Sequence, residues 1–299
     1  LKLGIFGDEH SWHSQDLVRA AGSGHELRFF EIGNLSAELC SESSETVCNG
    51  FRLGTLDAAF VRTIPAGSLE QIVFRMDTLA ELARCGVAVV NPARAIEACV
   101  DKYLALCLAR RTGVPIPRTA VCQNTTTAQR LFESFGNRAI LKPVFGSEGR
   151  GLVLLDNLDL ALRAFHLLEN AGQTIYLQEV IDHGNQDIRI FVAGQEMVAM
   201  RRSNPADWRV NAGRGARTFP HQLTEQEREI ARLACASVGA VVAGIDLVHD
   251  TDGNPYVLEI NSAPGWKKLS ETVPDDVASM VLKAIEVQAG QTTSGNAVP

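Results

Sequence analysis

The sequence predicts a mixed chain, α/β and α+β, in which a small N-terminal parallel α/β lobe precedes two further units of sheet and helix. Three observations carry this reading. Short apolar runs alternate with helical periodicity over the first ninety residues, Asn91-Pro92 breaks the alternation, and strands after residue 119 connect through Gly-rich and Asp-Gly turns. At 299 residues and 45% hydrophobic content the chain can bury a sizeable core and divide into two or three domains. With 35 acidic residues against 28 basic and a net charge of −7, it lacks the basic footprint of nucleic-acid or membrane-surface binding. No apolar run reaches the ~18–20 residues of a membrane span, and Leu1 to Phe6 reads as a strand rather than a signal peptide, so a cytoplasmic protein is expected. The seven cysteines are odd in number and form no CxxC pair, which suits small buried thiols.

In chain order, Lys2 to Phe6, Glu26 to Ile32, Asp57 to Arg62 and Val87 to Asn91 read as strands, with a helix over Ser68 to Arg84. The Ser-, Glu- and Cys-rich stretch from Asn34 to Gly54 shows no periodicity and is expected to be a long surface excursion. Two helices follow residue 92, the second from Asp101 to Thr112, ended by Gly113 with Pro115 and Pro117 beyond. Strands are then expected at Thr119 to Cys122, Ala139 to Val144, Leu152 to Asp156 and Thr174 to Ile181, with helices at Thr126 to Phe135 and Leu158 to Asn170. A hairpin around Gly194-Gln195 joins Asp187 to Ala193 with Glu196 to Arg202. A polar loop covers Asn211 to Arg217, and Thr224 with Glu227 forms a capping box at the head of a helix reaching Val238. Strands Gly244 to Asp250 and Tyr256 to Ser262 and a helix from Asp275 to Gln288 close the chain. The expected divisions are 1–92, 93–182 and 183–290, with 291–299 a disordered tail.

The most informative segment runs from Ala243 to Ser262. Asp252-Gly253 is the favoured loop of a two-residue type I′ hairpin, which sets Asp246 opposite Glu259 and Gly244 opposite Asn261. Strand alternation then gathers Asp246, Glu259 and Asn261 on one face, with Ile245, Leu247, Leu258 and Ile260 behind. Two carboxylates and an amide oxygen so crowded call for a hard cation, and oxygen ligation suits Mg²⁺ completed by phosphate and water. Upstream, Lys142 leads into the glycine-rich turn Phe145 to Gly151, whose N–H groups could fold over phosphates. Gln178-Glu179-Val180-Ile181 ends a buried strand and can offer backbone groups to a purine edge. Arg189, Arg201, Arg202, Arg209 and Arg214 form a cationic group in an acidic chain. The Gly194 hairpin sets Asp187 opposite Arg202, so part of this group is open to a structural ion pair.

Taken in order, Asp101-Lys102, Lys142-Pro143 with its glycine loop, Gln178-Glu179, Asp187-Ile188-Arg189, Arg209 to Gly215, Asp246, and Glu259-Ile260-Asn261 with Ser262 to Gly265 resemble the ATP-grasp superfamily. They are most similar to the RimK-type α-L-glutamate ligases. The resemblance implies the ATP-grasp fold, with 1–92 as a pre-ATP-grasp lobe that helps hold the acceptor, followed by central and C-terminal subdomains. It implies that Lys102 and Lys142 hold the nucleotide phosphates under a lid that includes Ser147 and Gly149. By the same likeness Gln178, Glu179, Val180 and Ile181 line the adenine, Asp187 reaches the ribose, and Arg209 and Asn211 meet the phosphate side. Asp246, Glu259 and Asn261 match a site for two Mg²⁺ ions, which Mn²⁺ can also serve, while Arg189, Arg202 and Arg214 are expected at the reacting groups. The chain departs from the family at Ala216, where a glycine is usual, and in the added Trp266-Lys267-Lys268 near the expected mouth.

The activity so implied is ATP-dependent ligation of a carboxylate to an amine. The donor is L-glutamate or a similar amino acid, and the acceptor is a protein tail, a carrier protein or a small cofactor. The resemblance also implies a homo-oligomer, dimer or tetramer. The competing reading is a regulatory ATP binder of the same fold without turnover, which loss of a metal ligand would favour, and all three are present. Trp12, His10 and His13, in the first strand-to-helix loop, are read either as a stacking platform for a flat acceptor or as loop packing.

Overall fold

The computed structural model describes residues 1–146, 151–210 and 215–295. The N-terminal lobe begins with β1 (Lys2–Phe6), α1 (Trp12–Ala21) and β2 (Glu26–Phe30), and continues after an excursion with β6 (Ala58–Val61), α2 (Leu69–Arg84) and β7 (Ala88–Val90). Its sheet is parallel throughout, in the order β2-β1-β6-β7. Alternation gives each strand two apolar faces. Phe6, Ala59 and Val61 pack against Met76, Leu79 and Leu82 of α2, while Leu3, Ile5 and Phe60 face α1 and the last helix of the chain.

The excursion is not irregular. It forms a three-stranded antiparallel sheet of β3 (Leu35–Leu39), β4 (Ser44–Cys48) and β5 (Phe51–Arg52). The signal for it lies in Asn49-Gly50, both at positive φ and flanked by the pair Cys48 and Phe51, a two-residue hairpin loop hidden in a polar stretch.

Helices α3 (Ala93–Val100) and α4 (Lys102–Arg111) lead to the second unit. Asp101 caps α4, its carboxylate accepting from the N–H groups of Tyr103 and Leu104. Next come β8 (Thr119–Cys122), α5 (Thr125–Ser134), β9 (Ala139–Lys142), β10 (Val153–Leu155), α6 (Leu158–Asn170) and β11 (Ile175–Gln178). The sheet is antiparallel in the order β10-β9-β11-β8, and its apolar face packs on Phe132 and Phe165 of the two helices.

The third unit is a five-stranded antiparallel sheet, β14-β13-β12-β15-β16. It is built from β12 (Gln186–Ala193), β13 (Glu196–Ser203), β14 (Arg217–His221), α7 (Glu225–Val238), β15 (Val242–His249) and β16 (Pro255–Asn261). The chain ends with α8 (Lys267–Ser270) and α9 (Val277–Gly295), so the last helix runs past the residue 290 at which the sequence suggests a disordered tail. Strand β14 and helix α8 have no counterpart in the sequence reading. Ile188, Ile190 and Val192 of β12 face α7. Phe191 and Ala193 face α9 and Trp266, and Asp187 and Arg189 continue that second face to the open end of the sheet. The capping box forms as expected, Glu227 N–H donating to Thr224 Oγ1 and Thr224 N–H to Glu227 Oε2.

One expectation fails in detail and holds in effect. The loop between β15 and β16 has three residues, 251–253, closed by Asp250 N–H donating to Asn254 O, with Gly253 at φ +83°. That slips the pairing by one position, His249 facing Pro255 and Leu247 facing Val257. A bulge at Leu258 then takes the slip back, and Asp246 faces Glu259 after all. The bulge also turns Leu258 to the face of the acids, correcting its placement behind the sheet. Ile245, Leu247, Val257 and Ile260 are the residues buried there.

Candidate active site

The antiparallel four-stranded sheet and the five-stranded sheet face each other across an open cleft. Its apolar walls are Ile140, Leu152, Ile181, Val210, Val248 and Leu258, and its polar groups include Lys102, Lys142, Gln178, Asp187, Asp246 and Glu259. An apolar slot with a few convergent charges is the form of a small-molecule site.

The charges on the five-stranded side form one cross-strand row. Register sets Arg202 against Asp187, Arg189 against Asp246 and Asp246 against Glu259. Arg202 grips Asp187 with two bonds of 2.7 Å and reaches Asp246 Oδ1 at 2.9 Å, while Arg189 donates to the same oxygen at 2.8 Å. Burial alone would raise the Asp246 carboxyl, but Arg202 and Arg189 outweigh it and hold the group below its ordinary value. For Asp187 burial pushes upward and Arg202 pulls back, leaving it the more easily protonated of the two. The guanidiniums therefore neutralise Asp246 from beside the cleft. This corrects the view that the acids repel unless a metal sits among them, and that Gly244 leaves open space. A Cβ on Gly244 would lie 2.5 Å from Arg189 Cζ and 2.8 Å from Pro264 Cβ, so the absent side chain makes room for Arg189. Arg202 meets the expected site through Asp187 and Asp246, on which its Nε and Nη2 bonds fall.

The cleft also holds two buried lysines, Lys142 on β9 and Lys102 at the head of α4, whose hydrogen-bond partners among the described residues are neutral. Lys142 Nζ donates to Gln178 Oε1 at 2.5 Å, and Lys102 Nζ donates to the carbonyl of Gly146. Burial pushes Lys142 down to about 8, Glu259 pulls it up and Lys102 adds to the fall. Glu259 lies 3.9 Å from Lys102. Two cations held by an amide and a carbonyl leave charge to be matched by an anionic ligand.

Among the described residues no group of three or more His, Cys, Asp or Glu gathers as a metal cage. Two facing carboxylates fit Mg²⁺ nonetheless, because that ion binds through one or two carboxylates and completes its shell with phosphate and water. Asn261 stands opposite Gly244 as expected, its Oδ1 accepting from Ala263 N–H at 2.9 Å; an amide oxygen keeps a second lone pair for a ligand.

Of the expected nucleotide residues, Gln178, Glu179, Ile181, Asp187 and Arg209 line the cleft, and Val180 stands between two of them without lining it. Glu179 Oε1 also accepts from Arg118 N–H at 2.7 Å, tying the strand end to the neighbouring loop. Arg209 is paired with Asp207 at 2.9 Å, and Arg201 stays on the outside over Phe219. Ser147, Gly149, Asn211 and Arg214 lie outside the described residues. Leu258, Val248, Trp208 and His183 line the cleft and were missed by sequence reasoning, Leu258 because only the bulge brings it there.

The residues after β16 bind the N-terminal lobe. Trp266 is fully buried, not at a mouth; its backbone N–H donates to His13 Nε2 at 3.1 Å and its Nε1–H to Asp16 at 2.9 Å. His13 thus belongs to this packing, and burial with Arg62 lowers it to about 4. Lys268 pairs with Glu271, and Lys267 sits over the Trp12 ring at 6.0 Å. Asn91, wholly buried, donates to Val242 O and Ser262 O and accepts from the N–H groups of Val241 and Val242. No helix among the described residues is long and apolar enough to cross a membrane.

Comparison with known proteins agrees with this geometry. The family model of the RimK-like ATP-grasp domain matches residues 99–285. The chain is 32% identical to a tetrahydromethanopterin:alpha-L-glutamate ligase of Methanocaldococcus jannaschii, over 95% of this chain and 98% of that protein. It is 30% identical to a probable alpha-L-glutamate ligase of Pseudoalteromonas translucida, over 99% of each. Among solved structures, the ATP-grasp ligase PsnB with its minimal precursor, Mg and ADP superposes with a TM-score of 0.76 at 21% identity, covering 96% of this chain and 97% of that one. A RimK domain ATP-grasp protein of Sphaerobacter thermophilus gives 0.73 at 20%, covering 95% and 99%. With a matched domain spanning more than half its length and a relative at this level of identity over nearly all of it, the chain belongs to the RimK-like ATP-grasp family.

Proposed function

We propose that this ATP-dependent carboxylate–amine ligase adds L-glutamate to an acceptor that ends in a carboxylate. The observation that carries the reading is the cleft itself, in which Lys102 and Lys142, hydrogen-bonded to neutral groups among the described residues, share an apolar slot with Asp246 and Glu259. The lysines suit nucleotide phosphates, and the slot between Ile140, Ile181 and Leu258 suits the base. Asp246 and Glu259, with Asn261 beside them, would hold Mg²⁺, which when bound neutralises and orients the transferring phosphoryl group.

In the reaction an oxygen of the acceptor carboxylate attacks the γ-phosphorus of ATP, the bond to the bridging oxygen breaks, and ADP leaves behind an acyl phosphate. The glutamate amine then attacks the acyl carbon, the C–O bond to phosphate breaks, and an amide forms as the nitrogen loses a proton. Positioning and charge neutralisation are the protein's share of this chemistry. Arg189 and Arg202 act through Asp246, keeping it ionised and fixed.

The named relatives support glutamate as donor, and the tetrahydromethanopterin ligases among them make a small cofactor the first acceptor to try. The test is ADP release with Mg²⁺, L-glutamate and a panel of cofactor, carrier-protein and peptide acceptors, with mass spectrometry of the product. One added glutamyl unit per ADP is expected. ADP release driven equally by alanine would remove the glutamyl reading and leave the ligase.

A further inference from the structure

Arg62 has entered so far only as a neighbour of His13. It follows β6 at the carboxyl end of the N-terminal sheet, its backbone N–H donating to Phe6 O beside the end of β1. In the order β2-β1-β6-β7 the chain leaves β1 to one side for β2 and returns on the other at β6. Crevices at such switch points, outside the carboxyl ends of the strands, are where open parallel sheets bind ligands.

The side chain lies against the segment that leaves the acid-bearing strand. Arg62 Nη1 donates to Ala263 O at 3.0 Å, and the guanidinium lies over the Trp266 ring at 5.2 Å. Its Nε is buried and finds no partner, and among the described residues no carboxylate pairs with the group. Arg189, and Pro264 of the same segment, both crowd the space over Gly244. Burial and the charge of Arg189 push Arg62 down to about 10, which marks a cation held without its anion. A planar fork with unused donors beside a second guanidinium matches a carboxylate.

We propose that Arg62 anchors the carboxylate of an acid substrate between the N-terminal lobe and the loop after β16. The proposal rests on the ligase reading above and adds a binding residue to it. Two acids could present that group, the glutamate donor and the acceptor, and kinetics separate them.

KM values for ATP, glutamate and acceptor are measured for the wild type, Arg62→Met and Arg62→Lys. Arg62→Met is expected to raise the KM of one acid substrate at least tenfold and leave that of ATP within twofold, with Arg62→Lys recovering part of the loss. Which KM moves identifies the acid. A binding measurement needs no turnover: glutarate, a diacid without an amine, is titrated against the tryptophan fluorescence of the protein with Mg·ADP. Its Kd should weaken at least tenfold in Arg62→Met, or in Arg62→Lys at least threefold where the Met variant does not fold. A variant of wild-type melting temperature with all three KM values within twofold of wild type overturns the proposal. So does equal glutarate affinity, or none in the wild type, where no turnover is found. A wild type that uses another amino acid sinks the glutamate reading alone, and Arg62 is then judged on that donor.

Discussion

Replacing Lys142 by Met should stabilise the protein while disabling it. The ammonium is buried beneath the turn that begins at Pro143, and its ordinary value of 10.5 falls to about 8 in the fold. At 1.36 kcal/mol per unit the burial of this charge costs roughly 3 kcal/mol near neutral pH. Methionine, of similar length, removes that cost but leaves Gln178 Oε1 without its donor, a loss of about 1–3 kcal/mol. The balance is a melting temperature level with wild type or above it at pH 7. The sign follows from proton counting: between about 8 and 10.5 the folded state holds fewer protons than the unfolded, so wild-type stability rises with pH across that window. The variant has no such group, and its advantage should be largest below pH 8 and gone by about 10.5. Nucleotide binding moves the other way, since losing a charge-assisted bond to phosphate costs about 1.5–3 kcal/mol, or roughly 10- to 100-fold in Kd for Mg·ADP. Thermal melts at pH 7 and pH 10 and calorimetric titration of Mg·ADP decide it. A variant that melts well below wild type at pH 7 and binds ADP equally well would return Lys142 to a purely structural role.

Three further outcomes are expected. Glu259→Gln should lower kcat roughly 10²–10⁴-fold, and EDTA should silence the wild type; the melting temperature should stay near wild type, because Arg189 and Arg202 already neutralise Asp246. Gly244→Ala drives a methyl into Arg189 and Pro264 and should cost about 1–3 kcal/mol in urea unfolding, with kcat falling as Asp246 loses its brace. Asn91→Ala strips partners from four backbone groups at Val241, Val242 and Ser262, and chemical denaturation should show a loss of at least about 3 kcal/mol.

Register at the acids can be read from the chain, although the loop holds one residue more than Asp252-Gly253 predicts. Glu259 kept its place opposite Asp246 because the bulge at Leu258 repaid the extra loop residue, and a bulge leaves no mark in an alternating apolar pattern. The Asp187 and Arg202 pair could be read from the Gly194 turn for the same reason that hairpins are local, and the strands meet in that register. What could not be read were contacts between distant segments. Nothing near Trp266 in the chain announces His13 and Asp16, more than 200 residues away, and Asn91 reads as a breaker until Val242 and Ser262 are beside it. The three-stranded excursion shows the opposite error, a local Asn49-Gly50 signal passed over because its strands carry few apolar residues.

Those long-range contacts place the N-terminal lobe within the working of the cleft. The segment that leaves β16 is held by Asn91 at Ser262, by Arg62 at Ala263 and by His13 and Asp16 at Trp266, all from the first 92 residues. Glu259 and Asn261 stand at the head of that segment, and Asn261 is itself bonded to Ala263. A shift of the N-terminal lobe therefore pulls on the strand that carries Glu259, and a displacement of about 1 Å at reacting groups can cost about 10²-fold in rate. The lobe also supplies Arg62, so an acid substrate seated there would press on the segment that sets the position of Glu259. Substrate choice and the alignment of Glu259 then share one mechanical element, and an Arg62→Met variant that keeps its fold should lower kcat as well as raise the KM of the acid it holds, with the KM of ATP still within twofold.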